Sequence, residues 1–298
     1  MKQLFITSVR DFEKNTMGTV EMREMPMPEP AEDEVRIKII YSSICGSDAH
    51  TLTGHLGEFE EGTKAMLPMT FGHELSGVID KVGPKAEALG YHVGDKVIAN
   101  YAKYCYACDN CRSGHENLCS HVQFCMNGFA EYAVYHVTQV HKLPENYDLE
   151  TAALIEPLAV TVHAAKRFPD INGSNVSIIG CGPIGILLMQ SCKALGAAKV
   201  LITDISDYRL ELAKSLGADY AINTAKVPYA DAIAEVFGPD KADVTYECAG
   251  NNATTDMAIQ NSRKGSVIVL VAVFADWAKV DLARLNDSEL TLDTSMMY

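Results

Sequence analysis

The sequence predicts an α/β protein of two domains, a β-rich first half followed by a doubly wound parallel sheet. Three observations carry this expectation. The chain has 298 residues, more than one compact core usually serves. Its first half reads as short strands broken by turns, whereas from about Thr161 apolar strands alternate with amphipathic helices, the pattern of successive βαβ units. A glycine-rich turn, Gly180-Cys-Gly182-Pro-Ile-Gly185, follows an apolar strand and opens a helix in that second half. The expected division is residues 1–158 and 159–298.

In the first domain the strand candidates are Val35 to Tyr41, which alternates, Gly77 to Val82 after Gly72, and Lys96 to Ala99 after the turn at Gly94-Asp95. In the second they are Val176 to Ile179, Val200 to Thr203, Ala221 to Ile222, Val244 to Glu247, Ser266 to Val271 and Glu289 to Leu292, with helices such as Ile184 to Leu195 and Tyr208 to Leu216 between them. Six such strands suit a complete doubly wound sheet. Hydrophobic residues at 48% and charged residues at 21% place the chain among folded proteins. The net charge of -14 argues against nucleic acid or an anionic membrane as partner, since both need a basic footprint. The longest apolar run, Val267 to Ala275, is far below the roughly 20 residues of a membrane span. The start, Met1 to Ile6, lacks the apolar stretch of a signal peptide, so a reducing, cytoplasmic setting is expected.

Four of the nine cysteines, Cys105, Cys108, Cys111 and Cys119, fall close together on a polar, turn-rich segment. Thiolates two residues apart can wrap a tetrahedral ion, and four of them leave no open position, so this spacing predicts a structural zinc knuckle. A disulfide-bonded or ordinary polar loop is the alternative, and a reducing setting argues against it. Of the other five, Cys125, Cys181, Cys192 and Cys248 read as fillers of small buried spaces.

Within the glycine turn, Gly180 permits a tight turn, Gly182 lets the backbone approach a pyrophosphate, and Gly185 lets the helix opened by Pro183 and Ile184 pack close to the sheet. The unpaired amides of the helix start then face the phosphates. Asp204 ends the next strand, placed to accept hydrogen bonds from an adenosine ribose and to repel a 2′-phosphate, which favours NAD over NADP. Arg209, the one nearby cation, is either a further cofactor contact or part of a solvated helix face.

Cys45-Gly46-Ser47-Asp48-Ala49-His50 and Gly72-His73-Glu74 offer a thiolate, an imidazole and a carboxylate from separate segments of the β-rich half. Three protein ligands plus water is the open pattern of catalytic zinc. Taken singly, Cys45 reads as a small buried hydrophobe and His73 as a core histidine.

These motifs occur together and in order with Leu154-Ile155-Glu156-Pro157-Leu158, and over nearly the whole chain the sequence resembles the zinc-dependent medium-chain alcohol dehydrogenases. The resemblance is closest to the branch of polyol (sorbitol-like), butanediol and threonine dehydrogenases. It implies a GroES-like, β-rich catalytic domain followed by a Rossmann NAD-binding domain, two zinc ions per chain, and a homodimer or homotetramer. It implies Cys45, His73 and Glu74 as catalytic zinc ligands, with Glu156 approaching the ion directly or through water. The reaction it implies is oxidation of a secondary alcohol, as a polyol, diol or hydroxy-amino acid, by hydride transfer from a zinc-bound alkoxide to the nicotinamide. Ser47 and His50 resemble a proton relay, imidazole being the side chain that exchanges protons near neutral pH. Thr51 stands where polyol enzymes often carry an aromatic residue. His55 is either at the mouth of the site or a loop residue, and His163 reads as packing or surface.

The resemblance also implies a further segment beyond the sixth strand, so the chain's end at Tyr298 leads to the expectation of a truncated form. The alternatives are a primary alcohol or aldehyde dehydrogenase of the same family and a non-catalytic zinc- and NAD-binding remnant. A zinc-ribbon interaction module would leave Gly180 to Gly185 and Asp204 unexplained. For a dimer, Val267 to Phe274 and the strand from Glu289 are the expected edges.

Overall fold

A computed structural model describes residues 1–11, 15–54, 64–275 and 277–297; His55 lies outside the described residues. The chain divides into two units, Met1–Glu156 and Pro157–Tyr298.

The first unit is built on the antiparallel sheet β10-β6-β5-β3-β9, from β3 (Glu34–Ser43), β5 (Glu74–Val82), β6 (Lys96–Ala99), β9 (Tyr132–His136) and β10 (Val140–Lys142). A smaller sheet takes β1 (Lys2–Ser8) between β2 (Thr19–Glu24) and β4 (Met69–Thr70), and β7 (Ala102–Lys103) pairs with β8 (Gln123–Phe124). Short helices accompany it, among them α1 (Gly46–Thr53), α2 (Pro84–Ala88), α3 (Asp109–Arg112) and α4 (Leu149–Ala152). A longer helix, α5 (Ile155–Lys166), begins at its end. The core gathers Val35, Ile37, Leu75, Ile79, Val97 and Tyr135, all buried.

Two details of the main sheet position the site. β5 starts three residues earlier than its apolar run indicates, so Glu74 is a strand residue paired with Ser43. β3 carries a bulge at Ile39/Tyr41 that leaves Ile40 without a cross-strand partner. An extra residue inverts which side chains face inward. Ile40 and Tyr41 are consequently exposed, although simple alternation continued from Val35 and Ile37 would bury Tyr41.

The second unit is a six-stranded parallel sheet in the order β13-β12-β11-β14-β15-β16. Its strands are β11 (Asn175–Ile179), β12 (Lys199–Asp204), β13 (Tyr220–Asn223), β14 (Val244–Glu247), β15 (Val267–Leu270) and β16 (Thr291–Thr294). The helices α6 (Pro183–Ala194), α7 (Asp207–Ser215), α8 (Tyr229–Phe237), α9 (Asn252–Asn261) and α10 (Leu282–Asp287) alternate with them. Successive strand residues face opposite sides, and both sides are buried. Ile178 and Ile202 pack with Ala164, Leu188, Met189 and Leu210, while Ile179, Leu201 and Ile268 pack with Ile233 and Ile259. The strand order 3-2-1-4-5-6 with helices on both faces is the doubly wound Rossmann arrangement, which places ligands at the carboxyl ends of the strands where the order reverses, between β11 and β14.

The sixth strand differs from its expected start at Glu289. That residue has φ +48°, and its N–H bonds to the Asn286 carbonyl at 3.1 Å, closing α10 instead of extending the sheet. The expected edges need a related correction. β15 is hydrogen-bonded on both sides, to β14 and β16, so within this sheet only β16 and β13 present edges. No helix among the described residues is long and apolar enough to cross a membrane.

Candidate active site and metal centres

In the first unit, Cys45 leaves β3 and becomes the N-cap of α1, in extended conformation (φ -77°, ψ 154°). Asp48, in the first turn, is buried, and its Oδ2 accepts the Cys45 N–H at 3.0 Å. Its Oδ1 accepts the Gly72 N–H at 3.3 Å, tying the two separate ligand segments together. Gly72 has φ +84°, and a Cβ there would stand 2.6 Å from the Phe129 ring, so glycine alone fits the turn that delivers His73 and Glu74.

The result is one cluster. Ligand atoms of Cys45, His73 and Glu74 lie within 4.8 Å of one another, with His73 and Glu74 buried. Ser43 Oγ donates a short hydrogen bond to Glu74 Oε2, and Ser42 Oγ donates to the Glu74 backbone carbonyl at 3.1 Å. Ser47 hydrogen-bonds to the Cys45 thiol, and His50 lies half-buried on the same helix. Glu156, in the first turn of α5, is outside the three-ligand cluster, but its charge is felt at Cys45. Tyr101 lies against His73 with ring centroids 4.8 Å apart.

Burial governs the electrostatics here. It pushes the Cys45 thiol and the Asp48 carboxyl up and the His73 imidazole down, and it raises Glu156 to about 8 with help from the charges of Glu74 and Asp48. The cluster thus collects acidic groups where burial opposes their ionisation, a situation that a bound dication reverses. His73 Nδ1 is buried without a hydrogen-bond partner, a condition that costs about 1–3 kcal/mol. Thiolate, imidazole and carboxylate are the donor set of an open zinc site, so the residues fit that ion.

The four cysteines form a second cluster, also with ligand atoms within 4.8 Å. Cys108 caps α3, Cys111 sits within it, and Tyr106 at φ +52° turns the chain between Cys105 and Cys108. All are free thiols; the Cys108–Cys111 and Cys105–Cys111 sulfur separations are 3.5 and 3.8 Å. Four thiolates about 2.3 Å from a tetrahedral ion would stand about 3.8 Å apart, so the sulfurs already have the required spacing. The Ala107 and Cys108 N–H groups point at Cys105 Sγ (3.4 and 3.3 Å), and those of Cys105 and His121 point at Cys119 Sγ (both 3.4 Å). Backbone N–H groups lower Cys105, and others lower Cys108 to about 6, whereas burial pushes Cys111 up to about 12.

In the second unit the three glycines of the fingerprint have three distinct surroundings. Gly180 has φ +105° and a Cβ position 3.0 Å from the Cys248 backbone. At Gly185 a Cβ would overlap the Gly180 carbonyl oxygen at 1.9 Å. At Gly182, the N-cap of α6 with Pro183 at N1 and Ile184 next, nothing lies within 4 Å of that position. This open concavity at a helix start is where a pyrophosphate fits. Asp204 Oδ2 accepts the Cys181 N–H at 2.8 Å and Oδ1 the Ser206 N–H at 2.9 Å, so this carboxylate also braces the turn. Arg209 Nη1 stands 3.7 Å from Asp204 Oδ2, its side chain half exposed.

Sequence reasoning missed the roles of Ser43, Asp48 and Tyr101. The signal for Asp48 was present, an acidic residue three positions after a helix cap. Ser43 depends on the unforeseen bulge of β3, and Tyr101 belongs to no spacing pattern. Among the other cysteines, Cys181 and Cys192 are fully buried as expected, whereas Cys125 and Cys248 are only partly so. His163 is half-buried on α5.

Residues 31–145 match the family described as the alcohol dehydrogenase GroES-like domain, and residues 183–298 match the zinc-binding dehydrogenase family. The chain is 34% identical to a sorbitol dehydrogenase of Bacillus subtilis over 85% of its own length and 72% of that protein's. It is 33% identical to an L-threonine 3-dehydrogenase of Anaeromyxobacter sp. (strain K), covering 90% and 78% of the two chains. A crystal structure of a zinc-binding dehydrogenase (gutB) from Clostridium scindens superposes with a TM-score of 0.95 at 47% identity, over 100% of this chain and 85% of the other. With these likenesses spanning both units, the chain belongs to the zinc-dependent medium-chain alcohol dehydrogenases, on the branch of the polyol and threonine dehydrogenases.

Proposed function

We propose that this enzyme uses NAD and zinc to oxidise a secondary alcohol, as a polyol, diol or hydroxy-amino acid, to a ketone. The observation that carries the reading is the cluster of Cys45, His73 and Glu74, whose ligand atoms lie within 4.8 Å and whose His73 Nδ1 is buried and unpartnered. The relatives named sorbitol and threonine dehydrogenase support the substrate class. Zinc held by Cys45, His73 and Glu74 would supply the Lewis acidity that makes a hydroxyl acidic near neutral pH. Cys105, Cys108, Cys111 and Cys119 would hold a second, structural ion.

The chain's own residues have separable tasks. Asp48 and Ser43 orient the ligands, as partners beyond the coordinating atoms do in metal sites. Glu156, raised to about 8 by burial and by its acidic neighbours, can hold and release a proton beside the cluster. Ser47 and His50 on α1 are the hydroxyl and imidazole that pass a proton outward. Gly182, Pro183 and Ile184 bring pyrophosphate oxygens to the start of α6, with Gly180 and Gly185 shaping the turn. Asp204 accepts from the adenosine ribose and disfavours a 2′-phosphate, although Arg209 beside it is the group such a phosphate would use. We place the enzyme in the cytoplasm as a homodimer or homotetramer, with the exposed edge of β16 as the pairing strand.

The test is zinc per chain by atomic emission together with NAD and NADP reduction on sorbitol, butane-2,3-diol, threonine and ethanol. About two zincs with turnover on a secondary alcohol and NAD supports the reading. Turnover confined to ethanol, or zinc and cofactor binding with no turnover, overturns it.

A further inference from the structure

Tyr101 lies on the two-residue link between β6 and β7. Its backbone is pinned from three sides. Its carbonyl accepts the Cys125 N–H at 2.7 Å, the neighbouring Asn100 exchanges hydrogen bonds with Gln139 (2.7 and 2.9 Å), and Ala102 N–H bonds to Asn100 Oδ1 at 2.8 Å. The ring is held as well, 4.8 Å from the His73 ring and stacked with Phe124 at 5.8 Å and 19°. Its hydroxyl makes no hydrogen bond to any described residue. Yet this phenol is half-buried beside a metal ligand, and the charges of Glu156 and Cys45 reach it.

A tyrosine held this firmly usually has a partner for its hydroxyl. We infer that Tyr101 is a specificity-determining residue: its O–H donates to a second hydroxyl on the substrate, beside the carbon to be oxidised. The inference rests on the function proposed above. One such contact is worth about tenfold in discrimination against an alcohol lacking the second hydroxyl.

The experiment compares kcat/KM for butane-2,3-diol and butan-2-ol in the wild type and in Tyr101→Phe, both zinc-loaded, with zinc content and NADH affinity measured on each. A wild-type preference for the diol of about tenfold or more, collapsing about tenfold in Tyr101→Phe at unchanged zinc content, supports the assignment. A preference that survives the substitution overturns it. The wild type alone also decides, because equal use of the two alcohols removes the role of Tyr101 while leaving alcohol oxidation intact. Failure to oxidise any alcohol with zinc and NADH bound overturns the underlying function instead.

Discussion

At the scale of single residues, the cluster of Cys45, His73 and Glu74 is braced by Asp48. One carboxylate accepts N–H bonds from both ligand segments, at Cys45 and Gly72, so its removal frees each segment from the other. Asp48→Ala should weaken zinc binding at Cys45, His73 and Glu74 by about 10–100-fold, and a chelator challenge should take zinc per chain from about two to about one. Retention of both ions would show that the ligands hold their geometry unaided. The grouping of Cys45, His73 and Glu74 was legible only in the company of the other motifs and the resemblance they carry, since each residue alone reads as an ordinary core residue. Ser43 and Tyr101 were not legible, since one acts through a bulge and the other through a ring contact across the fold. Asp204 was legible only in part: its place at the end of β12 suggested a ribose, while its bond to the Cys181 N–H became visible only once the turn was folded.

At the scale of elements, the turn from β11 into α6 tolerates no side chain at its third glycine. Gly185→Ala would drive a Cβ to 1.9 Å from the Gly180 oxygen, so the turn must open. NADH affinity, read by fluorescence titration, should fall at least about tenfold while zinc content stays constant; wild-type affinity would mean the turn opens without cost. A second element is clamped by charge. Arg167, just past α5, pairs with Asp293 of β16 at 2.6 Å. Burial raises Asp293, but the Arg167 hydrogen bond and charge outweigh it and leave the pKa lowered. Its stabilisation is therefore complete above the unfolded value near 4 and disappears as pH falls through the lower folded value. Asp293→Asn should cost about 0.5 kcal/mol at pH 7, the pair being partly exposed, and progressively less as the pH falls below the unfolded value; a cost that does not change with pH would rule out the ion pair as the cause. Strands with both faces buried, such as β12 and β15, were readable as apolar runs. The start of β16 was not, because the left-handed Glu289 that delays it follows from how α10 closes.

At the scale of the whole molecule, two units with separate cores carry separate candidate sites: both cysteine-containing clusters lie in the first and the glycine turn in the second. A ligand stabilises what it binds, by about 2.7 kcal/mol at a hundredfold excess over its Kd. Calorimetry should therefore show zinc removal lowering one transition and NADH raising another. A single transition moved equally by both would mean that the units unfold as one. The turn at residues 180–185 has a consequence for how the molecule tolerates change. Gly185 is fixed by its own backbone neighbours, whereas Gly182 has open space where a side chain would go. A mutational library sorted only for folded protein should thus discard nearly every replacement of Gly185 and keep many at Gly182, and sorting for cofactor capture should then discard those too. Two glycines three residues apart would carry different histories of constraint, one written by the chain and the other by its ligand.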